Sequence, residues 1–318
     1  MNKRKKILIW VICLSPFWAF LLLMYFVKIN TVSEKTPNTK KRTPGVVYFS
    51  DIENPQNNLS TKIYSADGKV LGEFYEENRS SANYSEFSPI LVDALICTED
   101  IRFRSHSGID VRSLFRAVFG VLTGSSNSGG ASTLSQQLSK MLFTGRTSSG
   151  FGRIKQKLKE WVVALELEKR YSKNEIITMY LNRFDWINQA VGITSASKVY
   201  FNTQPSNLNV NQSAMLVGML KNPSLYNPKR NPEGTLNRRN VVLSQMMKYK
   251  KITREEFDSL KSLPLNLDFQ IVDHNEGLAP YFREQIRPIL MEWCSKNRKP
   301  NGDFYNLYTD GLVIHTTI

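Results

Sequence analysis

The sequence predicts a mainly α chain with an N-terminal transmembrane helix and small β segments at both ends of the part that follows. Three observations predict it. Residues 7–27 (ILIWVICLSPFWAFLLLMYFV) carry no charge, and about 20 such residues cross a bilayer as a helix. Apolar residues recur at helical spacing, between helix-start signals, through most of the chain from Ser88 to about residue 250. Short β-prone runs flank Asp67-Gly68 near one end and Asp310-Gly311 near the other.

The composition sets the frame. The chain has 318 residues, 41% hydrophobic and 22% charged, ordinary for a globular protein with a real core. A net charge of +14 points to an anionic partner: nucleic acid, a membrane surface or a phosphorylated substrate. The apolar run lowers the first of these. Lys3-Arg4-Lys5-Lys6 precede it, and such flanks stay in the cytoplasm. Lys28, Ile29 and Asn30 follow it, with no small-residue cleavage site. The expectation is an uncleaved single-pass anchor, with the N-terminus in the cytoplasm and the rest on the extracytoplasmic, periplasmic side. No nucleic acid is expected as partner.

The remaining elements follow in order. Residues 1–29 are cytoplasmic flank and anchor, and 30–60, rich in Asn, Thr, Ser, Lys and Pro, are a tether. Residues 61–84 are a β-hairpin segment. From Ser88-Pro89, an N-cap with proline at the first helical position, a helix is expected to pass Glu99, reach about Arg104 and close at Gly108. Residues 111–123 are apolar with Arg112 and Arg116 one turn apart. Ser/Gly-rich loops at 124–132 and 144–152 bracket a helix at 133–143, and a long helix covers 153–170. Ser172 to Glu175 and Thr253 to Glu256 are capping boxes. Further helices are expected at 190–200, 209–221 and 232–249. The main domain is 85–250, and 251–318 is a helical and β linker ending in a second hairpin or strand pair at 306–318. Cys13, Cys97 and Cys294 with His106, His274 and His315 have neither disulfide nor metal-site spacing.

Three segments carry residue types suited to chemistry. In CTEDIRFRSHSGID (97–110), Glu99, Phe103 and His106 share one face if helical, and a carboxylate among apolar residues suits a general base. In GGASTLSQQLSK (129–140), Ser132, Thr133 and Gln136 can bond sugar or phosphate oxygens and Lys140 can neutralise a phosphate. In RIKQKLKEWVVALELEKRYSK (153–173), Lys157 and Glu160 lie one turn apart. Singly, these are also what a solvated helix end, a capped loop and a surface ion pair look like.

Together and in this order they resemble family 51 glycosyltransferases, the polymerase domain of class A penicillin-binding proteins and the monofunctional peptidoglycan transglycosylases. Glu99-Asp100, Phe103, His106 and Gly108-Ile109 fit that family's first motif. Gly130 to Lys140 fit the second, and Lys157, Glu160, Tyr171-Ser172-Lys173 and Tyr180-Leu181-Asn182 the third. Gly192-Ile193, Tyr200-Phe201, Pro223 to Pro228 and Arg238-Arg239 fit later blocks. Ile101, Met141, Gln156 and Gln212 depart from residues frequent there. The resemblance implies a lysozyme-like helical glycosyltransferase domain that polymerises lipid II by inverting transfer to an acceptor 4-hydroxyl, releasing undecaprenyl diphosphate. It implies Glu99 as base and Glu160 as second catalytic carboxylate, with Asp100, His106, Ser132, Thr133, Gln136, Lys140 and Lys157 at the substrate. The implied partners are lipid II, the growing lipid-linked glycan, the cytoplasmic membrane and other cell-wall synthesis proteins. A divalent ion, Mg2+, would suit the diphosphate, though the sequence holds no protein-only cage for one. A catalytically impaired membrane scaffold and a lysozyme-like lytic enzyme are the alternatives. Ser195 to Lys198 spell Ser-x-x-Lys without a Lys-(Ser/Thr)-Gly anywhere, so no penicillin-binding transpeptidase is expected within these residues.

Overall fold

The structure is a computed structural model, and it describes residues 24–28, 32–33, 47–48, 61–74, 81–123, 132–143, 150–270, 279–300, 302–308 and 310–318. Its strands are β1 (Val32–Ser33), β2 (Val47–Tyr48), β3 (Thr61–Tyr64), β4 (Val70–Phe74) and β5 (Val313–His315). Its α-helices are α1 (Pro89–Glu99), α2 (Val111–Leu122), α3 (Leu134–Phe143), α4 (Gly150–Arg170) and α5 (Lys173–Arg183). They continue with α6 (Ile193–Phe201), α7 (Val210–Met219), α8 (Pro232–Lys248), α9 (Arg254–Ser262) and α10 (Pro280–Lys296). Residues 7–23 of the expected anchor, most of the 30–60 tether and His274 lie outside the described residues. Residues 24–28 are helical, and no described helix is long and apolar enough to cross a membrane.

The chain divides into two compact units. The first holds residues 1–55 and 102–176. There α3 packs on α4, burying Leu134 and Leu138 on one helix and Val163, Ala164 and Leu167 on the other. Thr133 starts α3 by accepting the Gln136 amide at 3.2 Å. Ser172 and Glu175 cap α5 reciprocally, as their spacing predicts. Gly150 already belongs to α4, so the loop expected to run to residue 152 ends sooner.

The second unit holds residues 56–101 and 177–318. Helices α1, α7 and α8 pack on one another, burying Leu91 and Leu95, Ala214 and Leu216, Val242 and Leu243. Asn231 caps α8 through the Gly234 amide, and Thr253 and Glu256 form the predicted box at α9. Arg239, buried without a carboxylate, donates to the carbonyls of Lys261 and Pro264 at 3.1 and 3.0 Å. It thereby satisfies acceptors that the end of α9 leaves open.

One expectation is corrected in this unit. Among the described residues of 306–318 no hairpin forms: Asp310 accepts from the Asn306 amide and the Lys299 ammonium, closing a local turn. Of these described residues only Val313–His315 form a strand, which pairs in parallel with β3. The sheet order is therefore β4-β3-β5, with β3 and β4 the predicted antiparallel hairpin. Helix α10 falls within 251–318, the stretch expected to be part helical, where the sequence marks no bounds for it. Pro288 inside it breaks the pattern that marks a helix, yet Phe282, Ile286, Leu290 and Cys294 line the face packed with Ile63, Leu71 and Phe74.

Candidate active site

Helix α1 sets Glu99. Ser88 starts the helix and its hydroxyl donates to the Leu208 carbonyl at 3.0 Å, while Leu91, Leu95 and Cys97, on more than one side of the helix, are buried. The helix stops at Glu99, and Asp100 leaves helical geometry at φ −158°. The expected continuation to Arg104 is thus corrected: a separate 3-10 turn covers Phe103–Ser105. Glu99, Phe103 and His106 do not share one helix face. Aspartate competes with the backbone for hydrogen bonds and favours such an ending. Glu99 is half-buried and Asp100 buried. Fully buried Tyr180 lies within electrostatic reach of Glu99. Its phenol is pushed well above its ordinary value by burial first and by the Glu99 charge second, so it stays protonated.

The other seven predicted residues lie in the first unit. Gly108, at φ +92°, approaches α4 so closely that a Cβ there would stand 2.8 Å from the Ala164 carbonyl oxygen. Its own carbonyl accepts from Thr133 Oγ1 at 2.6 Å and from Gln136 Nε2 at 3.5 Å. Its amide donates to His106 Nδ1 at 3.2 Å. Thr133 and Gln136 are buried, and Gln136 Oε1 meets no donor among the described residues. Lys140 is exposed in the last turn of α3, roughly two turns beyond Thr133.

Lys157 and Glu160 depart from a solvated surface pair. Glu160 is only 4% exposed, and its Oε2 lies 2.9 Å from Lys157 Nζ. Gln156 Nε2 donates to its Oε1 at 3.2 Å, and Lys157 Nζ also reaches Ser132 Oγ at 3.1 Å. Lys157 therefore bridges Ser132 and Glu160. Gly108 gathers His106, Thr133 and Gln136.

Two supports went unread in the sequence. Half-buried Glu168, its side chain 5% exposed, accepts from Ser135 at 2.5 Å and pairs with Lys173 at 2.6 Å. Lys173 also donates to the His106 carbonyl at 2.6 Å and sits 4.3 Å over the Phe103 ring. The conspicuous Tyr-Ser-Lys string was the available signal. Arg102 grips Asp110 through Nε and Nη2 at 2.7 to 3.3 Å. Burial pushes the Asp110 carboxyl up, but Arg102 and Ser113 more than offset this and hold it at about 2. A depressed carboxylate contributes stability above its unfolded value, and that stability is lost as pH falls through the folded value. The contribution is about 2 kcal/mol. Urea unfolding should therefore show the parent ahead of Asp110→Asn by that amount at pH 6, the gap closing between pH 4 and pH 2. A constant gap would refute the assignment.

Residues 67–247 match a family described as Transglycosylase. The chain is 31% identical over 299 residues to penicillin-binding protein 1A of Vibrio cholerae, covering 94% of this chain and 34% of that one. It is 32% identical over 275 residues to penicillin-binding protein 1A of Escherichia coli K12, covering 86% and 30%. The chain thus spans about a third of the length of these relatives. A crystal structure of penicillin-binding protein 1A from Haemophilus influenzae aligns with TM-score 0.43 and 23% identity, over 81% of this chain and 26% of that one. With more than half of its residues in the family match, and the motifs around Glu99, Gln136 and Glu160 all inside it, the chain belongs to the transglycosylase family.

Proposed function

We propose that this chain is a membrane-anchored peptidoglycan glycosyltransferase that builds glycan from lipid II outside the cytoplasmic membrane. The observation that carries the reading is the Lys157–Glu160 pair. A buried carboxylate held by a lysine and an amide, with a serine hydroxyl on the same lysine, is a built polar site rather than surface decoration. It suits a leaving group rich in phosphate oxygens.

The chemistry then divides among named residues. A sugar 4-hydroxyl is a poor nucleophile, so Glu99 takes its proton as the hydroxyl attacks the donor's anomeric carbon. The C–O bond to the diphosphate breaks on the opposite side, inverting that carbon to a β-1,4 link. Undecaprenyl diphosphate departs with its charge neutralised by Lys140 and Lys157. Glu160 positions Lys157. Asp100 helps shape the backbone that carries Glu99. Ser132, Thr133, Gln136 and His106 offer hydrogen bonds to the donor, Gln136 through its open Oε1. Both Glu160 oxygens are engaged by Lys157 and Gln156. That donor set does not fit a protein-held Mg2+.

The membrane reading has its own support. On α2, Val111, Phe115 and Phe119 are 55%, 71% and 68% exposed. They recur every fourth residue, so they form one apolar stripe, with exposed Arg112 and Arg116 beside it. Such a face suits the boundary between acyl chains and anionic headgroups. Together with the apolar run at 7–27, it supports a reaction carried out where a polyprenyl substrate resides. The test is polymerisation of labelled lipid II by the purified chain in detergent. Glycan longer than a few disaccharides is expected. A folded chain that binds lipid II and makes no polymer would sink the reading.

A further inference from the structure

The sequence suggests that residues 30–60 hang the folded body from its anchor as slack chain. One ion pair in the first unit ties the end of the apolar run to the folded body. Lys28 is the first charged residue after the apolar run 7–27, and its Nζ lies 2.8 Å from Glu166 Oε1 on α4. Residues 24–28 are helical, and Met24, one turn before Lys28, is buried.

Glu166 needs this partner. Its side chain is 6% exposed, and a carboxylate so enclosed is costly unless paired. Burial pushes its carboxyl up, but Lys28 and Lys169 outweigh that and hold it below the ordinary range. Lys169, 3.0 Å away, is a neighbour on the same helix and is 64% exposed. Lys28 is the more enclosed of the two cations, at 40%, and it comes from a distant part of the chain. A merely local surface pair would not bring it there.

The consequence is positional. From Glu160 to Glu166 is roughly 9 Å along α4. A free linker of about thirty residues would let its ends separate by roughly 30 Å, about the thickness of a bilayer's hydrocarbon core. Lipid-linked diphosphates lie in one plane, so such wandering dilutes the site relative to its substrate. We propose that the Lys28–Glu166 pair is a latch that holds the membrane-exit end of the anchor on α4 and keeps Lys157 and Glu160 at a set height over the bilayer. Glu166 is then a positioning residue. This rests on the anchor reading of residues 7–27.

The test uses the full chain in vesicles. A carbodiimide, which joins an amine to a carboxylate only in direct contact, should couple Lys28 to Glu166, read as a linked peptide by mass spectrometry. Charge reversal, Glu166→Lys, should slow polymerisation in vesicles at least fivefold and less than twofold in detergent, where the substrate is not confined to a plane. The double reversal Lys28→Glu with Glu166→Lys should return the vesicle rate to within twofold of the parent. A missing link, a single variant at the parental rate, or a double variant as slow as the single would overturn the latch. Equal slowing in vesicles and detergent would overturn it too, marking simple damage to the fold. A chain washed from the vesicles by carbonate would overturn the anchor and the latch together. A parent that forms the link but no glycan would leave the latch standing and remove the proposed reaction.

Discussion

Replacing Glu99 with glutamine is expected to lower glycan polymerisation by about a hundred- to ten-thousand-fold, the range a positioned general base contributes, while the fold persists. The substitution keeps the shape of the side chain. It changes nothing in the core of α1, where Leu91, Leu95 and Cys97 are buried, nor the Asp100 amide that closes the helix on the Ile96 carbonyl at 3.1 Å. What it removes is the basic carboxylate. Tyr180 gives a separate readout. Its phenol is raised by burial and then by the Glu99 charge, so in Glu99→Gln its ionisation should move down towards the value burial alone sets. An ultraviolet titration of the tyrosines would show the shift. Unaltered polymerisation with an unchanged melting temperature would exclude Glu99 as the base.

Gly108→Ala is expected to be the most damaging single-methyl change in the first unit. Two costs add. The backbone at φ +92° is poorly accessible to an L side chain, a penalty of roughly 1–3 kcal/mol. The new Cβ would meet the Ala164 carbonyl oxygen at 2.8 Å and the Leu165 nitrogen at 3.1 Å. These are backbone atoms in the middle of α4 and cannot swing aside, so overpacking costs roughly another 1–3 kcal/mol. The sum, about 2–6 kcal/mol, is a large share of the 5–15 kcal/mol that holds a typical domain together. Any shift of residue 108 also displaces the carbonyl that Thr133 and Gln136 bond. Activity should therefore fall even below the melting temperature. Calorimetry would check the first effect and polymerisation at low temperature the second. A variant as stable and active as the parent would show that residue 108 does not press on α4.

Both predictions mix what could be read early with what could not. Glu99 and Gly108 stood out by residue type and order, and the motifs that hold them name the family. The sequence also determined most helices and several of their ends. A capping box such as Ser172 with Glu175, or an N-cap such as Asn231 accepting from the Gly234 amide, completes its hydrogen bonds within four residues. No distant partner is consulted, so local reading succeeds. The predicted β-hairpin at 61–74 is local in the same sense.

Tertiary structure decided everything that joins distant residues. The helix from Ser88 ends at Glu99, Asp100 turns out of helical geometry, and a fully buried Phe103 then sits on a separate turn, which spacing alone could not distinguish from one longer helix. Glu160 reads as half of a surface pair until burial shows otherwise. Strand β5 finds β3 across some 250 positions, with the Leu312 amide bonding Thr61 Oγ1, although its own sequence suits a hairpin equally well. Lys28 meets Glu166 in the same way. Periodicity states which face of an element is apolar or charged. Which two faces meet is set by the packing of the whole chain.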